Sequence, residues 1–219
     1  MKISILSIFP EIFSSLTAIP VVKRAVDRGL VELEIVDMKN FARGSYRRID
    51  DSPCGGGPGM IIRIDVVMAA LNSVRKENSV VVLLTPKGVP YTQKKAHEFV
   101  QTEHLILICG HYEGIDARIE KHVGMMLSVG DYVLSGGEVP AITITDSIAR
   151  LVGTIRSESL VEESHEGKLL EYPQYTKPVD YNGDKVPEIL LSGNHAEIEK
   201  WRKEMAEKIT RELRPDLLT

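Results

Sequence analysis

Cysteine is scarce in this sequence, and its scarcity excludes two kinds of structure. Among 219 residues there are two cysteines, Cys54 and Cys109, and they do not form a CxxC pair. A disulfide scaffold and a cysteine-based zinc ribbon are therefore excluded, and the composition is typical of a reducing cytoplasm. Cys109 ends an apolar run at residues 105–108, so we expect it at the buried end of a strand.

Long apolar stretches are missing as well. No uncharged apolar stretch approaches the length of a membrane span. The N-terminal sequence MKISILSIFPE is too short for a signal peptide, and no small-residue cleavage pattern follows it. We therefore expect a cytoplasmic protein that does not contact a membrane.

Aromatic residues and net positive charge are both low, which bears on nucleic-acid binding. Aromatic residues make up 5% of the chain and do not form the strand pattern with which RNA-recognition domains stack bases. The net charge of −4 argues against a protein that coats nucleic acid. Positive charge is gathered locally in residues 39–48, which carry Lys39, Arg43, Arg47 and Arg48 and no acid. This segment is either a solvated loop or a contact for RNA.

Several catalytic motifs are also absent. The six histidines form no HxH or HExxH pattern, and GxSxG does not occur. No glycine-rich segment matches the P-loop pattern GxxxxGK[ST] or a GxGxxG dinucleotide turn. These absences disfavour a histidine zinc site, an α/β-hydrolase and a P-loop nucleotide site.

The patterns that are present predict an α/β domain with a mostly parallel sheet. Short apolar runs rich in β-branched residues are typical of buried parallel strands, and they lie at residues 3–8, 31–36, 80–84, 105–109 and 125–129. Helical patterns alternate with them at residues 19–28, 65–74, 92–100 and 140–152. Alternation of this kind is typical of helices packed on a parallel sheet.

The C-terminal part of the sequence has a different character. From residue 153 to residue 171 the periodicity disappears and acidic residues accumulate, which is typical of a surface linker or of a segment that orders over a site. A final amphipathic helix is predicted over residues 193–214, with Asn194 and Glu197 as a capping box. Its apolar stripe contains Ile198, Trp201, Met205, Ile209 and Leu213.

Three glycine-rich loops stand out, and two of them follow predicted strands. The first, CGGGPGM at residues 54–60, comes after Asp50 and Asp51. The second is GHYEGID at residues 110–116, and the third is VGDYVLSGGE at residues 129–138. Ligands of parallel α/β sheets bind at the carboxyl ends of strands, so the second and third loops mark the edge of a pocket. An adenosine-type ligand fits this arrangement, although composition alone does not select it.

In this order the loops resemble those of the bacterial tRNA (guanine-N1)-methyltransferases, the TrmD type of the knotted SPOUT class. Supporting stretches extend along the whole chain. They include IFPEIF at 8–13, ARL at 149–151, PQYTKP at 173–178 and VPEILLSGNH at 186–195, with WR at 201–202 and RPDLL at 214–218. Each stretch is weak alone, but together and in order they are specific.

The resemblance implies a fold that pattern reasoning would not offer, because knots are essentially absent from folded proteins. It implies a parallel α/β sheet with a deep trefoil knot that binds S-adenosylmethionine, followed by a small, mainly helical C-terminal domain. The implied organisation is a knotted methyltransferase domain at 1–153, an acidic linker or lid at 154–171 and a tRNA-binding domain at 172–219. The family works as a homodimer with active sites at the interface, and it holds the tRNA anticodon arm.

The resemblance also implies the residues that contact the cofactor. They come from the loops after three strands, in segments 85–88, 110–114 and 128–137. The expected contacts are Thr85, Pro86, Gly110, Tyr112, Glu113, Gly114, Ser128, Val129, Gly130, Asp131, Tyr132, Val133, Leu134, Gly136 and Gly137.

The implied reaction is methyl transfer to N1 of the guanosine at tRNA position 37, next to the anticodon. Guanine N1 carries a proton at neutral pH, so the site needs a base near N1 and a cation near O6. In the family the base is an aspartate in an Asp-Ser-Phe stretch. Here the aligned residue is Glu163, followed by Ser164 and His165, and the family arginine corresponds to Arg150.

Further site residues follow from the same alignment. Glu113 and Glu163 are the expected positions for Mg²⁺, which relatives are expected to involve. His111 stands where the family usually has arginine, and Cys54 replaces an aromatic residue. The expected RNA contacts are Gly55, Gly56, Gly57, Ser164 and His195.

Three other functions stay open at this point. The chain could be a SPOUT methyltransferase acting on ribosomal RNA or at ribose, or a catalytically weak RNA-binding relative. The third possibility is an ordinary α/β metabolic enzyme, and it requires the ordered match to the family stretches to be a coincidence.

Overall fold

Five strands form a parallel sheet, as the apolar runs predicted. A computed structural model of the chain describes residues 1–44, 47–155 and 163–218. The sheet strands are β1 Lys2–Ser7, β2 Glu32–Asp37, β5 Ser79–Pro90, β6 His104–Cys109 and β7 Met125–Ser128. Their order in space is β2-β1-β6-β5-β7. Because every neighbouring pair is parallel, all five carboxyl ends lie at one edge.

Both faces of the sheet are buried, which explains the continuous apolar runs. Successive side chains of a strand point to opposite faces. In β6, Leu105, Leu107 and Cys109 join one apolar cluster, whereas Ile106 and Ile108 join a second. The predicted buried strand end at Cys109 is confirmed, since its side chain is fully buried.

Four helices cover these two faces. They are α1 Pro20–Asp27, α2 Ile64–Val74, α3 Gln93–Val100 and α4 Glu138–Leu151, and each lies within two residues of its predicted bounds. α1, α3 and α4 place apolar side chains in the first cluster, and α2 places its own in the second. The result is a sheet between two layers of helices.

β5 is longer than the sequence predicted. Leu84 pairs with Leu127 of β7, residues 85–88 then leave the ladder, and Val89 pairs with Leu127 again. Tyr91 continues this contact by donating its backbone N–H to the Ser128 carbonyl at 2.8 Å. The strand therefore carries a four-residue protrusion at the carboxyl edge of the sheet.

Short elements of the first unit were not predicted. An antiparallel pair, β3 Asp50–Asp51 and β4 Ile61–Ile62, flanks the first glycine-rich loop. Three 3-10 helices occupy Pro10–Ala18, Met38–Phe41 and Ala117–His122. A 3-10 helix has three residues per turn, so Pro10–Ala18 does not show the 3.6-residue period of an α-helix. The other segments are too short to be distinguished from loops.

A buried polar chain crosses the amino-terminal end of the sheet. His104 of β6 lies between two hydroxyls, with Nε2 at 2.9 Å from Ser4 Oγ and Nδ1 at 2.8 Å from Ser79 Oγ. Ser4 donates to the Glu34 carboxylate at 2.8 Å, which also pairs with Lys2 at 3.1 Å. Burial is the main cause that lowers the pKa of His104, and the charge of Lys2 adds to it.

Contacts within the chain separate a second unit, Arg156–Thr219, from the first, Met1–Ile155. Its regular elements are the hairpin β8 Asp180–Tyr181 and β9 Asp184–Lys185, two 3-10 helices at Glu188–Leu191 and Pro215–Leu218, and helix α5 His195–Leu213. The predicted boundaries at 153/154 and 171/172 stay predictions.

Helix α5 begins where the capping box predicted. The Asn194 side chain accepts a hydrogen bond from the Glu197 backbone N–H at 3.4 Å. Ala206 and Thr210 are its buried residues, and Thr210 Oγ1 accepts from the Leu170 N–H at 2.8 Å. Four residues of the predicted apolar stripe are half-buried, but Leu213 is exposed. Among the described residues, no helix has the length and apolar character needed to cross a membrane.

Candidate active site

A cavity of about 340 Å³ lies at the carboxyl edge of the sheet. It is lined by Leu84, where the pairing of β5 with β7 is interrupted, and by Gly110 and Ser128 at the ends of β6 and β7, and the first turn of α4 contributes Pro140. This volume falls within the range of small-molecule pockets. The second and third glycine-rich loops both line the cavity, as their positions after strands predicted.

Hydrogen bonds within the third loop hold its first turn. Ser128 Oγ donates to the Gly130 carbonyl at 2.8 Å and accepts from the Gly130 N–H at 3.3 Å. The Tyr132 hydroxyl donates to the Val129 carbonyl at 3.4 Å. This arrangement leaves Tyr132 and Val133 exposed, and the Val133 side chain is 83% accessible.

The end of the third loop packs directly on the end of β6. The Gly137 N–H donates to the Gly110 carbonyl at 2.8 Å. A Cβ at Gly137 would lie 2.7 Å from the Cys109 Cα atom, so only glycine fits here. His111 and Gly136 form an antiparallel bridge beside this contact. The second and third loops therefore form one continuous wall.

The first glycine-rich loop meets the second. The Glu113 N–H donates to the Met60 carbonyl at 3.1 Å, and the Ile62 N–H donates to the Gly114 carbonyl at 3.0 Å. The expected RNA contacts Gly55, Gly56 and Gly57 are exposed. Their loop therefore lies next to the wall of the cavity without lining it.

A buried carboxylate lies behind the cavity wall. Glu138, the first residue of α4, is 3% exposed. Its Oε1 accepts a hydrogen bond from Ser7 Oγ at 2.7 Å, and its Oε2 lies 3.6 Å from His111 Nδ1. Burial, with a contribution from the Glu138 charge, raises the pKa of the Cys109 thiol well above its ordinary value.

The cavity gathers almost all the residues that the resemblance assigned to the cofactor. Of the fifteen expected contacts, Asp131 is the one that does not line the cavity. Eleven other residues also line the cavity, and three of them have ionisable side chains, namely Lys87, His111 and Glu120. Lys87 and His111 lie inside loops that were singled out, but Glu120 comes from the unpredicted 3-10 helix Ala117–His122 and had no signal.

Arg150 is remote from the cavity of its own chain. It lies in the last turn of α4, whereas the cavity is at the first turn, lined by Gly137 and Pro140. Glu138 and Arg150 are twelve residues apart on this helix, a rise of about 18 Å. The structure therefore does not bring Arg150 to the residues expected to bind the cofactor.

The other expected catalytic and RNA-binding residues belong to the second unit. Glu163 is half-buried, and its carbonyl accepts from the Glu166 N–H at 3.2 Å. Ser164 Oγ accepts from the Glu171 N–H at 2.9 Å. His195 is the exposed first residue of α5. Glu162, the residue before the expected base Glu163, lies outside the residues that the structure describes.

The expected metal positions do not form a metal site within one unit. Glu113 lines the cavity of the first unit, whereas Glu163 belongs to the second. In the parts of the chain that the structure describes, no group of three histidine, cysteine, aspartate or glutamate side chains could hold a metal ion.

The fold and the cavity define a class, a parallel α/β protein with a small-molecule site built from loops at the carboxyl edge of its sheet. A family model described as tRNA (Guanine-1)-methyltransferase TrmD matches residues 1–219. The chain belongs to this family, as its ordered loops and supporting stretches predicted.

Curated relatives match the chain over nearly its whole length. A protein named tRNA (guanine-N(1)-)-methyltransferase from Macrococcus caseolyticus is 50% identical over 221 residues, covering 100% of this chain and 92% of the relative. A protein of the same name from Malacoplasma penetrans is 49% identical, covering 99% of this chain and 96% of the relative. One from Dictyoglomus turgidum is 46% identical, covering 100% and 90%.

Proposed function

We propose that this chain transfers the methyl group of S-adenosylmethionine to N1 of the guanosine at position 37 of tRNA. The observation that carries the proposal is the match of the family over residues 1–219. The relatives named above match this chain over nearly their whole length, and each carries the name tRNA (guanine-N(1)-)-methyltransferase. The cavity lined by β5, β6, β7 and their loops supports the proposal, because the reaction requires a small-molecule site.

The cavity fits S-adenosylmethionine in size and in chemistry. Its volume of about 340 Å³ is that of a small-molecule site. Segments 85–86, 110–114, 128–130 and 132–137 line it. Their backbone groups can hold adenine and ribose, beside apolar side chains such as Leu134 and Val129. When bound there, S-adenosylmethionine supplies an activated methyl group on sulfur. The chain's own task is to hold that group in line with guanine N1.

Two residues of the chain act on the guanosine in this proposal. Glu163 accepts the proton of N1, because the nitrogen is a poor nucleophile while it is protonated. Arg150 stabilises the negative charge that develops on O6 as that proton leaves. A glutamate carries the same carboxylate as the aspartate usual in the family, one methylene further from the backbone.

The position of Arg150 supports a homodimer with shared sites. A rise of about 18 Å along α4 separates it from the cavity of its own chain, so Arg150 is better placed to serve the cavity of a second protomer. Four apolar residues in or beside the cavity wall are exposed, namely Tyr132, Val133, Leu134 and Val139. This exposed apolar patch supports the proposal that a partner protomer covers it. In a two-fold dimer both cavities would be completed in the same way.

The remaining parts of the proposal follow the family. The protrusion at residues 85–88 and the two packed loops form the trefoil knot, and the second unit forms the small C-terminal domain that holds the anticodon arm. Gly55, Gly56, Gly57, Ser164 and His195 contact the RNA. The described residues contain no group of side chains that could hold a metal ion, so they do not fit a Mg²⁺ site within one chain.

The experiment that tests the proposal is methyl transfer to tRNA. Purified protein is incubated with S-adenosylmethionine labelled in the methyl group and with an unmodified tRNA that carries guanosine at position 37. The control is the same tRNA with adenosine at that position. We expect label on the guanosine substrate alone, and nuclease mapping should place it at position 37. Equal labelling of both tRNAs, or label at another position, would contradict the proposal.

The assignment of the base is tested by Glu163→Gln. We expect this variant to lose methyl transfer almost completely, because the amide cannot accept the N1 proton, while tRNA affinity measured by filter binding stays close to that of the parent. Glu163→Asp is the matched control and should retain activity, since it restores the family's carboxylate. Turnover of Glu163→Gln near the parent rate would mean that another residue is the base.

A further inference from the structure

The Ser7, Glu138 and His111 side chains form a connected chain behind the cavity wall. Glu138 bridges the end of β1 to the loop after β6, because one carboxylate oxygen accepts from Ser7 at 2.7 Å and the other faces His111 Nδ1 at 3.6 Å. Ser7 is itself held, since its Oγ accepts from the Phe9 N–H at 2.9 Å. Burying a carboxylate costs free energy unless hydrogen bonds or nearby groups compensate its charge. The contacts of Glu138 with Ser7 and His111 therefore matter for how both neighbours are held.

The surroundings of His111 restrict how its ring can sit. Phe9 and Tyr112 pack edge-on against the imidazole, with ring centroids at 4.6 Å and 5.0 Å. A Cβ at Gly136 would lie 2.2 Å from Glu138 Oε2 and 2.4 Å from His111 Nδ1. The absence of a side chain at Gly136 therefore leaves room for these two groups to face each other.

The two ring nitrogens of His111 lie in different environments. Nδ1 is buried, and among the described residues it has no hydrogen-bond partner. The charged group that faces Nδ1 is the Glu138 carboxylate, which can accept a hydrogen bond but cannot donate one. The proton of a neutral imidazole is therefore favoured on Nδ1, where it points at this carboxylate. His111 lines the cavity, which leaves Nε2 as the nitrogen available to a ligand.

We propose that Glu138 is a positioning residue that fixes the tautomer of His111, so that Nε2 accepts a hydrogen bond from an N–H or O–H group of the ligand in the cavity. The carboxylate is well placed for this task, since the first residue of a helix favours negative charge. The donor belongs either to the cofactor or to the target nucleoside, and both offer such groups. The kinetic part of this proposal rests on the proposed methyl transfer, but the tautomer does not.

Glu138→Gln is the variant that tests the proposal, because it keeps the shape of the side chain. Ser7 accepts from the Phe9 N–H and donates to residue 138, so we expect the amide oxygen to stay at Ser7 and the amide NH2 group, a donor, to face Nδ1. Glu103→Gln is the matched control, an exposed glutamate just before β6. Two-bond proton–nitrogen NMR spectra of the histidine rings, recorded at a pH where they are neutral, distinguish the two tautomers. We expect His111 to carry its proton on Nδ1 in the parent and in Glu103→Gln, and on Nε2 in Glu138→Gln. An unchanged His111 signal in Glu138→Gln would overturn the proposal, whether or not the protein methylates tRNA.

Binding measurements identify the donor. In Glu138→Gln, Nε2 and the ligand group would both be donors, and such an unsatisfied contact weakens affinity about tenfold or more. A loss in the affinity for S-adenosylmethionine, measured by calorimetry without RNA, assigns the donor to the cofactor. A loss confined to the KM for tRNA assigns it to the nucleoside. If neither changes while the thermal midpoint is that of the parent, Glu138 does not act on the ligand.

A double-mutant cycle separates positioning from general stability. If Glu138 acts through His111, then Glu138→Gln should cost nothing further in a His111→Ala background. Additive losses in the two backgrounds would show that Glu138 acts independently of the imidazole and would contradict the proposal.

Discussion

His104 shows at the scale of one residue how burial and hydrogen bonding set a protonation state. Ser4 donates its hydroxyl proton to Glu34, so it must accept from the Nε2–H of His104. Nδ1 then accepts from Ser79. The neutral ring is thus fully bonded, and a second proton on Nδ1 would require the Ser79 hydroxyl to stop donating to it. This geometry agrees with a pKa lowered by burial and by the neighbouring Lys2 charge.

The lowered pKa of His104 predicts a loss of stability in mild acid. As the pH falls below 6.5, the ordinary value, the unfolded chain binds the proton before the folded chain does, so the free energy of unfolding decreases until the folded-state pKa is passed. Urea denaturation between about pH 7 and about pH 5 should show this decrease. His104→Gln should flatten it in that window, and it should cost about 1 kcal/mol at neutral pH through the lost hydrogen bonds.

His122→Gln is the control, because this histidine is exposed. It should keep the pH dependence of the parent. A decrease of the same size in His104→Gln would assign the acid sensitivity to other groups.

Residue roles differ in how far the sequence predicts them. The burial of Cys109 was predictable, because a residue at the end of an apolar strand run is expected in the core. Glu138 looks like an ordinary first-turn acid, and its burial depends on Ser7, which is 131 residues away along the chain. Such pairings arise from the order of strands in space, which no local pattern contains.

At the scale of elements, the five strands of the parallel sheet and the four α-helices of the first unit were predicted, because burial of the sheet on both faces imposes apolar runs on its strands. The extension of β5 was not, since Lys87 and Gly88 interrupt its apolar pattern. The reason for glycine appears only in the structure. A Cβ at Gly88 would lie 2.4 Å from the backbone nitrogen of Leu127, so the protrusion rejoins the ladder by packing directly on the backbone of β7.

Gly88→Ala is therefore predicted to destabilise the first unit. The added methyl group meets backbone, which cannot move aside as a side chain can, and overpacking of this kind costs about 1–3 kcal/mol. The cofactor should also bind more weakly, because residues 85–87 line the cavity. Thermal denaturation with and without S-adenosylmethionine measures both effects.

The control for this prediction is Gly124→Ala, just before β7. The nearest atom to a Cβ there is the Val81 carbonyl oxygen at 3.5 Å, an ordinary contact. We expect a midpoint close to that of the parent. Equal shifts in the two variants would mean that the close approach at Gly88 is not what limits the substitution.

At the scale of the whole molecule, the resemblance implied active sites at the interface of a homodimer, but it did not say which chain's cavity Arg150 serves. The family alignment assigns Arg150 and the cofactor loops to one site, because an alignment does not distinguish one protomer from another. Along α4 the two are about 18 Å apart. In the homodimer proposed above, a site shared between two chains accounts for both facts.

This arrangement predicts that two inactive variants restore each other. Arg150→Ala should lose transfer while it still binds S-adenosylmethionine. Thr85→Trp should fill the cavity and lose cofactor binding while it keeps Arg150. When the two are unfolded together and refolded, half of the dimers are mixed, and each mixed dimer has one complete site. Methyl transfer should then return to about a quarter of the parent rate.

The same mixture also distinguishes the alternative. If Arg150 served the cavity of its own chain, every site in the mixed dimer would lack either the arginine or the cofactor, and no activity would return. Refolded homodimers of each variant and of the parent provide the reference rates, and gel filtration shows whether the mixed sample is dimeric. Recovery that requires both variants would place Arg150 in the partner's site, because neither chain alone contains an intact set of groups.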